Sequence, residues 1–393
     1  MQFLKCAIAI LLAAPIFGSG GLPEVPKIVT VHEWGTFTTV ASETGGSEPW
    51  SPLGAPSDLP CFVMHLNGLQ YKVITPRPAG PVTRPVTVRM ETPVLYFYSP
   101  AKTKVSVSVD FPHGLITEWF PPASRVAPVA DRVMPAVENG HIEWDQLEIV
   151  PGDTPAFPKG EGPSPYYAAR ETDSDPVRIG SMQEKLVFYR GIANFPVPLS
   201  ARVSGDGSVE VRNTGSAPLP LAVLFENRGG RVGYRMVHAV RDAVGLSAPE
   251  LTGSLASLKQ ELADALTGQG LYRKEADAMV ATWSDSWFEE GMRVFYLVPR
   301  EVVDRELPLT VAPAPKVIDR VFVGRVELLS PYLRDRLATA LAAGDIPALD
   351  GFGRFLAPFM RQVNVNAAPA VASFLDAKAK FAEQEFLHPS CVQ

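Results

Sequence analysis

The chain has 393 residues, with 36 basic against 42 acidic side chains and a net charge of −6. That length can bury one large core or two moderate ones. Its charges are dispersed, and without clustered Lys and Arg no nucleic-acid partner is expected.

At the N-terminus Lys5 supplies a positive charge, Cys6 to Phe17 is almost entirely apolar, and Gly18-Ser19-Gly20-Gly21 follows with small residues. These are the three zones of a secretory signal peptide. The apolar zone falls short of the roughly 20 residues that a bilayer requires, which disfavours an uncleaved anchor. Residues 1–20 are therefore expected to be a signal peptide, with export to the periplasm or the extracellular space. Cys6 precedes the apolar zone, which argues against lipid attachment there. No later segment reaches about 18 uninterrupted apolar residues, so no transmembrane segment is expected in the mature chain. Cys61 and Cys391 then remain; an oxidising compartment permits a bridge between them, and two separate thiols are equally compatible.

The 38 prolines are spread along the chain, where they bound short strands and fill loops. Residues 50–60, 75–85 and 151–165 read as such loops. Between them the period is two. Val86, Val88 and Met90 alternate with Thr87, Arg89 and Glu91, and Lys104 to Phe111 alternates without a break. Gly205-Asp206-Gly207 fits a tight hairpin, and Leu219 to Phe225 fits a buried strand. Residues 21–246 are thus expected to form a β-sandwich region. From 247 to 290 the spacing turns helical, with Leu251 to Leu266 followed by a stripe of Ala276, Met279, Val280, Trp283 and Trp287. Strands return over 291–330, at Met292 to Val298 and Val317 to Leu329. Residues 331–393 read as helical: Ser330 caps Pro331 to Ala343, and Gly351 to Met360 and Pro369 to Phe386 follow. The expected fold is α+β, mainly β: an antiparallel β-sandwich with a helical insertion and C-terminal helices.

His32-Glu33-Trp34-Gly35-Thr36-Phe37-Thr38 is the most distinctive segment. On a strand, His32 and Trp34 share one face, while Glu33 lies with Val31, Gly35 and Phe37 on the other. A carboxylate among apolar neighbours is a candidate general acid or base, with Glu91 as its partner; pairing with an arginine in the core is the structural alternative. His32, His65, His113 and His141 carry the option of a metal site, though no spacing compels one and none is assigned. Trp34, Trp119 and Trp144 suit the core. The carboxylates of Glu171, Asp173 and Asp175, beside Arg170, fit turn capping better than calcium binding. Arg190, Glu226 and Arg228 stand beside glycines at strand ends, where charged groups bind anions or sugars or pin loops. His32, Trp34 and Arg170 complete the candidate binding set. The sequence contains no nucleophile elbow, Walker loop or dinucleotide fingerprint.

The His32–Thr38 segment, with Met90 to Tyr98 and Asp285 to Gly291, resembles stretches of a group of exported, uncharacterised bacterial proteins. The resemblance covers most of the mature chain. It implies export and a shared fold, and it transfers no activity, cofactor or catalytic residue.

Three functional classes follow. The first is a non-catalytic envelope or extracellular binding module for a glycan, a peptide or an envelope protein, a reading by analogy with other sandwiches. The second is a carboxylate-based hydrolase of glycans or esters using Glu33 and Glu91. The third is a metal-dependent enzyme or metal carrier built on the histidines.

Overall fold

The computed structural model describes residues 29–52, 58–66, 85–129 and 135–387. The expected signal peptide and Cys391 lie outside the described residues; Cys61 is disulfide-bonded. Strand makes up 40% and helix 25%, so the chain is α+β and mainly β. Among the described residues no helix is long and apolar enough to cross a membrane.

The first strands are β1 (Thr30–Val40), β2 (Met64–His65), β3 (Val88–Tyr98), β4 (Thr103–Phe111), β5 (Gly114–Phe120) and β6 (Arg125–Ala127). Next come β7 (Gly140–Ile149), β8 (Val177–Ile179), β9 (Met182–Glu184), β10 (Val187–Ala193), β11 (Leu199–Val203) and β12 (Val209–Asn213). The last are β13 (Leu219–Arg228), β14 (Arg231–Val240), β15 (Ala243–Leu246), β16 (Gly291–Val298), β17 (Leu309–Ala312) and β18 (Val317–Leu328). Nine of them form one sheet in the order β14-β13-β16-β18-β1-β3-β10-β5-β2. Its pairings are antiparallel except one: β1 lies parallel to β18, nearly 300 residues away, and this pairing joins the first and last strands of the described residues.

One face of this sheet meets two smaller sheets. Their orders are β17-β4-β7-β8-β9, with β6 on β7, and β11-β12-β15. Val31, Phe37, Met90 and Phe97 from the large sheet pack there with Val107, Trp144, Ala201 and Val211. This is the sandwich. Alternation in β4 is as regular as its sequence, with Val105, Val107, Val109 and Phe111 all buried.

The other face is covered by helices, making a third layer. Helix α1 (Leu255–Gly268) places Leu258, Leu262 and Leu266 over Leu221, Val223 and Phe295. It begins later than its apolar pattern because Ser254 caps it and Gly253 N–H is bonded to Val232 O. The expected single stripe after it divides at Trp283 into α2 (Arg273–Thr282) and α3 (Ser284–Trp287). A short helix, α4 (Arg300–Glu306), interrupts the returning strands. Helix α5 (Pro331–Ala343) starts with the Ser330 cap and ends at Gly344, whose φ of 66° is the left-handed stop common at helix ends. With α6 (Ile346–Asp350), α7 (Leu356–Met360) and α8 (Pro369–Leu387) it encloses a separate apolar cluster around Val40 and Trp50.

A line of irregularity crosses the middle of the large sheet. Pro93 sits inside β3, where its missing N–H requires a bulge, and Thr92 before it takes φ 48°. Register shifts accompany it between Trp34 and Thr36 on β1 and between Phe188 and Gly191 on β10. Gly35 faces this line: a Cβ there would lie 2.6 Å from Phe322 Cε1 and 3.1 Å from Pro93 Cγ. On β18, a Cβ at Gly324 would enter the Tyr296 ring. Gly324→Ala is therefore expected to destabilise the protein by ~1–3 kcal/mol, read as a lower urea midpoint at unchanged slope.

Candidate functional site

The alternation of β1 sends Glu33 into the sandwich and His32, Trp34, Thr36 and Thr38 toward the helices. In the sandwich, Arg320 Nε donates to Glu33 Oε2 at 2.5 Å, and the Tyr189 hydroxyl donates to Oε1. Arg320 is opposite Glu33 in the parallel register and donates further to Asp304 at 2.9 Å and Leu307 O at 2.7 Å. Burial and the Glu33 charge push the Tyr189 phenol far up, so it stays a donor. Glu33 is fully buried with both oxygens engaged. Glu91 sits on the opposite face of the sheet, bonded to Thr38. The expected acid–base pair of Glu33 and Glu91 is therefore corrected: the two carboxylates are separated by the sheet itself.

On the helical face a row of buried charges runs across five strands. Arg190 on β10 bonds Asp58 at 3.0 Å. Arg89 and Glu91 on β3 lie 3.3 Å apart, and Glu91 accepts from Arg354 at 2.6 Å and from Thr38 on β1 at 2.7 Å. Arg325 on β18 donates to Glu327 at 2.5 Å and to Glu289 at 2.6 Å. Arg293 on β16 donates to Glu327 at 2.8 Å and to the carbonyls of Trp287, Glu289 and Glu290. The register makes the row, because Thr38 stands between Arg89 and Arg325, and Arg293 opposite Glu327. Burial alone would raise the Glu91 and Glu327 carboxyls, but the surrounding arginines outweigh it and hold both low. Burial pulls Arg89 down to about 10 against the pull of Glu91. Arg190 Nε, Arg325 Nη1 and Thr36 Oγ1 are buried without a hydrogen-bond partner among the described residues.

At the end of the sheet where β1 begins, a second constellation reaches the surface. His32 Nδ1 lies 2.7 Å from Glu275 Oε2. Glu275 also accepts from the Tyr98 hydroxyl at 2.7 Å and from Tyr272 N–H at 2.8 Å, fastening the start of α2 to the sheet. Burial, and then the Glu275 charge, push the Tyr98 phenol well up. The Tyr272 ring lies over His32 with centroids 4.4 Å apart and meets the Tyr98 ring at 4.9 Å. Asp319 is 3.6 Å from His32 Nε2. His32 is buried, whereas the Asp319 side chain is 38% and Tyr272 49% exposed. A rigid interior thus backs an accessible ring and carboxylate.

The other candidate residues hold the fold together. Trp34 lies in the helical-side core. Arg170 pairs with Glu184 at 2.9 Å, ringed by Phe62, Phe157, Tyr166 and Tyr167. Glu226 and Arg228 pair with each other at 2.6 Å. Asp173 bonds Lys274, and Asp175 accepts from Ser99 N–H. The histidines do not converge. His113 pairs with Glu306 and His141 with Asp110, while His65 lies at the edge of the large sheet. Among the described residues no group of three or more His, Cys, Asp and Glu is arranged to hold a metal.

Sequence reasoning missed Tyr98, Tyr272, Glu275 and Asp319. Tyr272 and Glu275 carry the three-residue spacing of a helix-start box, a signal that could have found them. Nothing local marks Asp319. No protein-family model matches the chain, and no curated protein matches it either.

Two outcomes are expected. Glu33→Gln leaves Arg320 short of its compensating charge and should cost about 3–5 kcal/mol in urea denaturation, with the double variant Glu33→Leu/Arg320→Met recovering much of it. Glu91 and Glu327 have depressed folded-state pKa values, so their contribution is complete above the unfolded carboxylate value and fades as pH falls below it. Unfolding free energy should hold from pH 7 to about 5 and drop below about 4, more shallowly in Glu91→Gln.

Proposed function

We propose that the chain is an exported, non-catalytic binding module that holds a glycan at the corner formed by His32, Tyr98, Tyr272 and Asp319. The observation that carries this reading is Tyr272, a half-exposed ring packed on a histidine that Glu275 fixes from behind. An aromatic face offers apolar area to the C–H side of a sugar at low entropic cost, since its own orientation is already set. The neighbouring Asp319 carboxylate offers several acceptor positions to sugar hydroxyls, and such charge-assisted bonds are the strong ones. Export is supported by the charge, apolar run and small residues at the N-terminus. The carboxylates of Glu33 and Glu91 have their oxygens committed to arginine, tyrosine and threonine, which favours binding over hydrolysis.

The test is titration calorimetry of the mature protein with neutral and acidic oligosaccharides. Saturable binding is expected, weakened roughly tenfold or more by Tyr272→Ala (~1.4 kcal/mol) and by Asp319→Asn, and largely retained in Tyr272→Phe. Binding indifferent to Tyr272 and Asp319, or no binding by the wild type, would sink the proposal. New reducing ends after incubation would replace it with the hydrolase reading.

A further inference from the structure

A groove of about 260 Å³ lies between the end of β1, the edge of β11 and the start of α5. Its apolar lining includes Leu328, Leu329 and Pro331, and its polar wall includes Glu43, Arg202 and Arg334. Strand β11 is the outer strand of the three-stranded sheet, so one of its edges has no partner strand. The hydrogen bonds fix which groups face that edge. Ser204 N–H bonds Ser208 O across the β11–β12 hairpin, so the even-numbered groups point inward. Ala201 N–H points outward and donates to Gly45 O at 3.1 Å. Val203 N–H and C=O share that direction by alternation, and among the described residues no backbone hydrogen bond outside the strand receives them. Gly45 thus occupies one rung of a ladder whose next rung is vacant.

The charges favour one kind of occupant. Arg334 is neutralised by Glu43 at 3.0 Å. Arg202 is exposed and has no ion pair among the described residues, because Glu210 opposite it bonds Arg212. One guanidinium in the groove wall is left over.

We infer that the groove docks an extended acidic peptide from a partner protein, added as a strand along the open edge of β11. Backbone bonds to Val203 supply affinity, an apolar side chain of the peptide descends onto Leu329, and an acidic one meets Arg202. Past the rung that Gly45 occupies, the open edge runs from Arg202 into the hairpin turn at Gly205, roughly 10 Å, about three residues of extended chain. This surface is separate from the Tyr272 corner and independent of the glycan reading.

The experiment uses the full mature chain and end-blocked octapeptides in which Asp or Glu alternates with Val, Ile or Leu, against a matched set with Lys or Arg. Fluorescence polarisation should show saturable binding of acidic peptides alone, weakened at least tenfold by Arg202→Glu and little changed by Arg202→Lys. Hydrogen exchange at the Val203 amide should slow on binding, and Tyr272→Ala should leave peptide affinity unchanged. No saturable binding of any acidic peptide, binding indifferent to Arg202→Glu, or an unprotected Val203 amide would each overturn the inference.

Discussion

The register of β1 between β18 and β3 is the constraint on which the rest of the molecule depends. The strand carries polar groups on both faces, and three of them meet partners that only this register supplies. Glu33 meets Arg320 and Tyr189 in the sandwich, while His32 meets Glu275 and Thr38 meets Glu91 beneath the helices. A slip of one residue would exchange the faces, leaving Arg320 with Asp304 alone as a charged partner and forcing Trp34 into a space shaped around Glu33. An uncompensated buried charge costs several kcal/mol, so neighbouring registers are excluded strongly.

The charged row beneath the helices has a structural consequence of its own. It divides that face of the sheet into two apolar territories, one under α1 to α3 and the other under α5 to α8. Arg354 reaches down to Glu91 from the C-terminal helices, and the end of α3 with the loop after it closes over Arg293 with three carbonyls. The two helical groups are therefore fastened to one polar seam, and Arg336 of α5 also pairs directly with Glu290 in the loop after α3. The same register that builds the seam also delivers His32 to the surface corner, so fold and candidate site share one determinant.

Much of the local structure was legible in the residues. The alternation of β4, the hairpin glycine at 207, and the Ser330–Pro331 helix start each need only neighbouring positions to be recognised. The departures from regular strand at Gly35 and Pro93 are paired across β1 and β3, which only the assembled sheet reveals. The opposite orientation of His32 and Glu33 followed from period two. Glu33 and Glu91 looked like partners only because separation across a sheet cannot be seen along a chain. His32 and Glu275 stand 243 positions apart, and Glu91 and Arg354 stand 263 apart, so no local pattern links them.

The sequence by itself determined the strand and helix periods, the punctuation between elements, the mainly β composition, and which side chains of each strand share a face. These depend on backbone geometry repeating every two or 3.6 residues, which a linear reading captures. Only the tertiary structure decided the parallel pairing of β1 with β18, the third layer of helices, the order of the charged row, and the meeting of Tyr272 and Asp319 around His32. Those outcomes depend on which distant charges can compensate one another once water is excluded, and that is a property of the packed chain.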